Sequence, residues 1–244
     1  MTLALFPMGF GFDPIWFLFM IPAGLLAMWA QLKLKSTYGR YSQVGNARGV
    51  TGAQAARVIL DRNGLSNVNI HVVPGELTDH YDPAKRAVFL SEENFSSSSL
   101  AAVGVAAHEV GHAIQHRTAY PPLHLRMAVV KSTNIASNLG TWLIMIGLFM
   151  TAAQESRFGS QMLWLGIVLF SSMALFQAIT LPVEYDASRR AKEELSRLGL
   201  LTQEENRHVS KVLGAAALTY VAALASALSQ LLYYIMIARR RDRD

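Results

Sequence analysis

The stretch HEVGHAIQH, residues 108–116, carries ionisable side chains at a spacing that could bind a metal ion. In an α-helix, residues i and i+4 share a face, so the imidazoles of His108 and His112 would project one turn apart. Glu109 lies about 100° around the helix and could reach a water on the ion without competing as a ligand. This HExxH pattern predicts zinc chemistry in which Glu109 takes a proton from water as the water attacks a carbonyl.

Two imidazoles leave a catalytic zinc one protein ligand short. The extended motif HExxHxxGxxH is excluded, because Gln115 and Thr118 stand where it needs glycine and histidine. The chain has no cysteine, so we expect a carboxylate from elsewhere to complete the site. The downstream candidates are Glu155, Glu184, Asp186, Glu193, Glu194, Glu204 and Glu205. Glu184 stands out, because it is the first charge after the uncharged stretch 158–183 and would lie at a membrane boundary.

Four further side chains are candidates to stabilise an oxyanion or support the ligands. His80 and Tyr81 lie in TDHYDP, which equally fits a simple Asp-Pro turn. His116 is a further i+4 step beyond His112, although at a helix C-terminus it could equally balance the helix dipole. Tyr185 adjoins Glu184 and could donate a hydrogen bond to a tetrahedral intermediate, although an aromatic residue that lies at the membrane interface is the simpler interpretation.

Composition indicates a membrane protein. Hydrophobic residues make up 52% of the 244 residues and charged residues only 16%, against roughly 25% charged in soluble domains. Uncharged stretches at 14–32, 132–154, 158–183 and 212–238 are each close to or above the roughly 20 residues that span a bilayer as helix. We interpret the first as a retained anchor, because no basic segment precedes it.

The positive charges lie mostly beside these stretches, although the formal charge of +5 and the pI near 9.6 could also suggest nucleic acid binding. The positive-inside rule accounts for them better and places residues 33–131 in the cytoplasm and the loop 155–157 outside. We therefore predict no nucleic acid partner. The arginines of 239–243 would then lie outside, so the last stretch is either an exception or an interfacial helix that ends inside.

The segment 33–131 is predicted to hold a small α+β domain. Thr51 and Gln54 form a capping-box pattern that opens a helix through Asp61, and the serines at 96–99 can cap a helix over 100–117. Residues 68–73 and 87–90 have strand patterns. We expect the strand 87–90 to be an exposed edge to which an extended peptide substrate adds by backbone hydrogen bonds.

The order of these motifs resembles a known family. HEVGHAIQH, two hydrophobic stretches and then PVEYDASRRA are similar to the YugP-type neutral zinc metallopeptidases of bacterial membranes, as are GELTDHYDP and VGVAAHEVGHA. The resemblance covers about residues 30–198 and implies one zinc ion on His108, His112 and Glu184, with Glu109 as general base. Related HtpX-type proteases carry an aspartate four residues beyond the ligand glutamate. Here Ser188 takes that place, and the nearby acid is Asp186.

We therefore predict a mainly α, integral membrane protein with about four transmembrane helices and a zincin-like catalytic domain of the gluzincin type. The expected segments are an anchor over 1–32, the catalytic domain over 33–131, a transmembrane hairpin over 132–183, a ligand-bearing helix over 184–211 and a last membrane helix with a basic tail over 212–244. The function expected is zinc-dependent cleavage of membrane-associated or unfolded polypeptides at the cytoplasmic face of a bacterial cell membrane.

Two alternatives remain open at this point. A non-catalytic membrane assembly protein would use zinc only to tie the helix 100–117 to the third span, with His80 or His116 as a fourth ligand. Proteolysis inside the bilayer would need the HExxH helix at membrane depth, and the polar sequence on both sides of 100–117 argues against it.

Overall fold

Four long helices dominate the chain. A computed structural model describes residues 14–153 and 157–241. The long helices within these ranges are α1 (Pro14–Tyr41), α5 (Pro121–Ala153), α6 (Arg157–Arg197) and α7 (Gln203–Arg241). Each contains a window long and apolar enough to cross a membrane, so each of the four uncharged stretches lies in a helix that is a candidate membrane span.

Shorter elements lie between α1 and α5. They are α2 (Gly52–Arg62), β1 (Asn69–Val73), β2 (His80–Asp82), β3 (Ala87–Ser91), α3 (Glu92–Ser96) and α4 (Leu100–Arg117). The Thr51 hydroxyl accepts from the Gln54 N–H while the Gln54 side chain accepts from the Thr51 N–H, which confirms the predicted capping box. Ser99 caps α4 by accepting from the Ala102 N–H, and α4 has the bounds predicted for it.

The sheet differs from its prediction. Strand β3 lies in the centre, parallel to β1 and antiparallel to β2, so the expectation that residues 87–90 form an exposed edge is wrong. The physical reason is β2, a three-residue strand inside the stretch that sequence reasoning read as a turn. It pairs Tyr81 with Val88 and covers that side of β3. The sheet edge on that side therefore belongs to β2.

The chain divides into two compact units. One unit comprises residues 29–125 and 180–220 and contains α2 to α4, the sheet and the adjoining ends of the long helices. Its core is built around the apolar face of α4, with residues of α2, β3, the end of α6 and the start of α7 among those that pack against it. Representative members buried to 1% exposure or less are Ile59, Leu90, Val103, Val110 and Leu195.

The other unit comprises the remaining parts of α1, α5, α6 and α7. Helices α5 and α6 approach closely through glycine, because a Cβ built at Gly140 or Gly166 would lie within 2.7 Å of a backbone nitrogen of the other helix. Small residues at such crossings let helices pack in lipid, where the hydrophobic effect does not drive their association. A small apolar cluster, with Ile144, Leu163 and Phe170 buried, completes the packing.

Helix α6 runs without interruption from Arg157 to Arg197, so the span and the residues after it form one element. The prediction that residues 184–211 form a separate helix is therefore wrong. They comprise the end of α6, a turn at 198–202 and the start of α7. Helix α7 is likewise continuous through the last apolar stretch.

Candidate metal centre

The site is built on α4, whose small residues allow it to be buried on nearly all sides. Fourteen of its residues are buried, among them Glu109 and His112, and His108 is nearly so. The imidazoles of His108 and His112 lie edge to face with ring centroids 4.8 Å apart, as expected for residues one turn apart on a helix.

Gly111 brings α4 into direct contact with α6. A Cβ built at Gly111 would lie 2.5 Å from the Ala187 carbonyl oxygen, closer than a real Cβ could approach. Glu184 precedes Ala187 on α6 by three residues and so faces α4 at this crossing. Its carboxylate is buried to 2% exposure between the two histidines.

The three side chains converge on a common point. Glu184 Oε2 lies 3.2 Å from His108 Nε2 and 3.5 Å from His112 Nε2. One ligand atom of each of the three lies within 4.8 Å of the other two. In a tetrahedral zinc site with metal–ligand distances of about 2.1 Å, the ligand atoms are about 3.4 Å apart. Two nitrogens and one carboxylate oxygen therefore fit the donor set and the spacing that zinc requires.

The pKa values of the Glu184 and Glu109 carboxyl groups are shifted in opposite directions. Burial alone would raise the pKa of Glu184, but hydrogen bonds and positive charge from His108 and His112 outweigh it and hold this pKa well below its usual range. Burial raises the pKa of Glu109 to about 7, and the neighbouring Glu184 adds to this while His108 opposes it. A carboxyl group that changes protonation near neutrality suits proton transfer.

Each histidine also has a partner at Nδ1, the ring nitrogen that does not contact Glu184. His108 Nδ1 lies 3.1 Å from Ser188 Oγ, and His112 Nδ1 lies 3.0 Å from Gln115 Oε1. The Gln115 amide nitrogen donates to the Val183 carbonyl at 2.7 Å and to Asp186 Oδ2 at 2.9 Å. Asp186 thus reaches His112 only through Gln115, and it also accepts from Arg190 at 2.5 Å and from Arg189.

Tyr81 and His116 form a pair beside Glu109. The Tyr81 hydroxyl lies 2.9 Å from His116 Nδ1, and the Tyr81 backbone hydrogen bonds to Glu109. His80 points elsewhere: its ring stacks on Phe89 at 4.8 Å, and its Nδ1 lies 2.9 Å from the Thr78 carbonyl. Tyr185 is 51% exposed although it adjoins Glu184.

The other carboxylates considered as third ligands lie apart from the histidines. Glu193 and Glu194 pair with Arg189 and Arg197, and Glu205 accepts from the backbone of Thr202 and Ala47. Glu204 is exposed. Glu155 falls outside the described residues.

Sequence reasoning missed Gln115 as a partner of His112 and assigned no role to Ser188. One signal was present in the sequence: Gln115 is a polar residue three positions after the candidate ligand His112. The structure shows that it is fully buried. The Ser188 contact depends on which face of α6 meets α4, and no motif encodes that face.

These features define a largely helical protein with four membrane-capable helices and a buried two-histidine, one-glutamate cluster fit for zinc. Comparison with known proteins agrees with this class. Residues 16–239 match the family described as "Putative neutral zinc metallopeptidase". The chain is also 46% identical over 222 residues, 91% of its length, to the "Putative membrane protease YugP" of Bacillus subtilis (strain 168), of which the match covers 96%. No solved structure matches it significantly.

The chain therefore belongs to the family described as "Putative neutral zinc metallopeptidase", which confirms the family that its motifs resemble.

Proposed function

We propose that the protein is a membrane-bound zinc metalloendopeptidase that hydrolyses peptide bonds of membrane-associated or unfolded polypeptides. The observation that carries this proposal is the meeting of His108 Nε2, His112 Nε2 and Glu184 Oε2 beside the buried carboxyl group of Glu109. His108, His112 and Glu184 would hold one zinc ion. When bound, that ion would supply a Lewis acid that acidifies water and polarises the scissile carbonyl.

The protein's own side chains would perform the proton transfers. Glu109, with its pKa raised to about 7, would take a proton from the attacking water and later deliver it to the leaving amine. The Tyr81 hydroxyl, held by His116, would be placed to donate a hydrogen bond to an oxyanion.

The sheet supports a binding mode for extended peptides. Strand β2 pairs with β3 on one side only and, through Tyr81, contacts both Glu109 and His116 on α4. An extended substrate that added to β2 by backbone hydrogen bonds would pass beside the site with little demand on its sequence. This replaces the binding edge predicted at 87–90 and is consistent with a preference for unfolded chains.

The arrangement supports an open coordination position rather than a closed structural site. Within residues 14–153 and 157–241, the group that could hold an ion consists of three side chains. His80 and His116, the candidates for a fourth ligand, are engaged with Thr78 and Tyr81. Three protein ligands with room for water are typical of catalytic zinc, whereas structural zinc has four.

The test compares two variants for zinc content and for cleavage of a fluorescently labelled unfolded polypeptide in detergent. Glu109→Gln should retain about one zinc per chain and lose at least about 10²-fold in cleavage rate. Glu184→Ala should lose both. Glu193→Ala, on the same helix but exposed, is the matched control and should change neither. Cleavage by Glu109→Gln at the wild-type rate would refute the proposal.

We further propose the cytoplasmic face of a bacterial cell membrane as the location of the site. The support is the concentration of lysine and arginine in 33–131 and after Glu184, together with the membrane-capable helices on either side.

A further inference from the structure

Gln115 occupies an unusual position behind the metal-binding cluster. It is 0% exposed, it lies one turn beyond His112 on α4, and its side chain contacts three groups at once. A buried amide whose hydrogen-bonding atoms are all engaged is held in one orientation, because turning it would leave its own buried polar atoms unpaired.

The contacts determine which way the amide faces. Both partners on one side, the Val183 carbonyl oxygen and Asp186 Oδ2, can only accept hydrogen bonds, at 2.7 and 2.9 Å. The NH2 group of Gln115 must therefore face them, and it uses both of its hydrogens there. The carbonyl oxygen Oε1 is left to face His112 Nδ1 at 3.0 Å.

This orientation determines the tautomer of His112. Because Oε1 can only accept, Nδ1 of His112 must carry the hydrogen that it donates. A protonated His112 can donate from Nε2 to Glu184 Oε2, 3.5 Å away, whereas the neutral ring with its hydrogen on Nδ1 presents the lone pair of Nε2 towards that oxygen. Two acceptor atoms that face each other at this distance suit a shared cation, and histidine ligands generally donate their second N–H to a fixed acceptor.

We propose that Gln115 is the positioning residue of the site. It holds His112 in the tautomer and ring orientation that direct Nε2 to the metal, and Asp186, anchored by Arg190, holds Gln115 in turn. Gln115 thereby performs for His112 the role that a carboxylate often performs elsewhere, without adding a negative charge at the ligand. The proposal rests on the proposed function, in that the ion is taken to be zinc.

The test measures zinc affinity of the purified full-length protein by competition with a chromophoric chelator. Gln115→Leu removes the amide at similar volume and should weaken zinc binding by about 10-fold to 100-fold. Its Co²⁺-substituted form should show a changed visible absorption spectrum. Asn206→Leu is the matched control, because Asn206 likewise donates from its amide to a carbonyl of α6, that of Lys192, but away from the histidines. It should leave zinc affinity unchanged.

A paired exchange separates positioning from general packing. Gln115→Glu keeps an acceptor for His112 but directs a carboxylate oxygen at Asp186 Oδ2 and at the Val183 carbonyl oxygen, and should weaken zinc binding. Adding Asp186→Asn replaces one of these two repulsive contacts with an amide donor and should recover part of the lost affinity. A residue that merely fills space would show no such rescue.

The outcomes distinguish this proposal from the proposed function. If wild type binds no zinc, the proposed function fails and this inference fails with it. If wild type binds one zinc and Gln115→Leu binds it equally tightly, the metal site stands and the positioning role of Gln115 is overturned. Loss of zinc affinity in Gln115→Glu without recovery in the double variant would also overturn it.

Discussion

Ser188 is the partner of His108, as Gln115 is of His112, but a hydroxyl constrains an imidazole less. A serine oxygen can donate or accept, so the contact of 3.1 Å to His108 Nδ1 does not by itself determine a tautomer. We expect Ser188→Ala to weaken zinc binding by about 10-fold or less, at the lower end of the range for such partners. Ser188→Asp should bind at least as tightly as wild type. Chelator competition measures both, and a larger loss in Ser188→Ala than in Gln115→Leu would contradict this ranking.

Tyr81 is the better placed of the two tyrosines considered for the oxyanion. Its hydroxyl pairs with His116 and its backbone hydrogen bonds to Glu109, whereas Tyr185 is 51% exposed. Tyr81→Phe should lower kcat by about 10²-fold with little change in KM, because an oxyanion donor acts mainly in the transition state. Tyr185→Phe serves as the comparison and should have a much smaller effect. Equal rates for Tyr81→Phe and wild type would remove Tyr81 from the mechanism.

At the residue scale, sequence spacing predicts which side chains meet when all of them lie on one helix. The i, i+4 rule places His108 and His112 on one face of α4 without knowledge of any other element. Glu184 could be chosen from its position after an uncharged stretch. His80 was placed near the site by sequence but stacks on Phe89, because alternation along β2 turns its side chain to the other face from Tyr81.

The α4–α6 crossing depends on the missing side chain of Gly111. Gly111→Ala would place a methyl group against the Ala187 backbone, which cannot move without shifting α6. We expect zinc affinity to fall by at least 10-fold and the midpoint of thermal unfolding to fall as well, because overpacking typically costs about 1–3 kcal/mol. Gly214→Ala on α7 meets no atom within 4 Å and should stabilise slightly. Wild-type zinc affinity in Gly111→Ala would show that the crossing tolerates separation.

The start of α7 is stabilised by an acidic capping group. Glu205 accepts from the Thr202 N–H at 2.7 Å and from the Ala47 N–H at 2.6 Å. Partial burial would raise the pKa of Glu205, but these hydrogen bonds outweigh it and hold the pKa below its ordinary value. The stabilisation is therefore present above the unfolded-state pKa of about 4.3 and lost as pH falls through the lower folded-state pKa.

Glu205→Gln should accordingly destabilise the protein at pH 7 by about 1 kcal/mol, and the difference from wild type should shrink as the solution becomes acidic. Thermal unfolding in detergent, followed by circular dichroism across a pH series, provides the measurement. Glu204→Gln, an exposed neighbour, is the control. A stability difference between Glu205→Gln and wild type that grows towards low pH would contradict the expected direction of the pH dependence.

At the element scale, helices with caps were predictable and short strands were not. The capping box at Thr51 and the serine cap of α4 act within a few residues, so sequence suffices. Strand β2 has three residues and exists because β3 supplies its hydrogen bonds, which is a tertiary effect. The continuity of α6 past Glu184 was also missed, because a change from apolar to charged composition was read as an element boundary.

For the whole molecule, the ion should couple to folding. A ligand that binds only the folded state at 100 times its Kd stabilises that state by about 2.7 kcal/mol. Removing zinc with a chelator should therefore lower the midpoint of thermal unfolding, and adding zinc back should restore it. Glu184→Ala should show no response to zinc. An equal response in that variant would place the stabilising ion elsewhere.

Orientation in the membrane is testable because the chain contains no cysteine. A cysteine at exposed Glu193 should react with an impermeant maleimide only in permeabilised cells, whereas one at exposed Arg157 should react in intact cells. The positive-inside rule is the physical basis for both expectations. The reverse labelling pattern would invert the proposed topology. Four membrane-capable helices could be predicted from composition, because crossing hydrocarbon demands length and apolarity, whereas the packing of α5 against α6 through Gly140 and Gly166 required the structure.

The cluster proposed to bind zinc joins residues 76 positions apart in sequence, with α5 and most of α6 translated between His108 and Glu184. A nascent chain that has emerged only as far as α4 holds two histidines and a glutamate but no third ligand. The enzyme proposed above would thus stay inert on the ribosome until its membrane hairpin had been synthesised, and a prematurely terminated fragment could not become a stray protease.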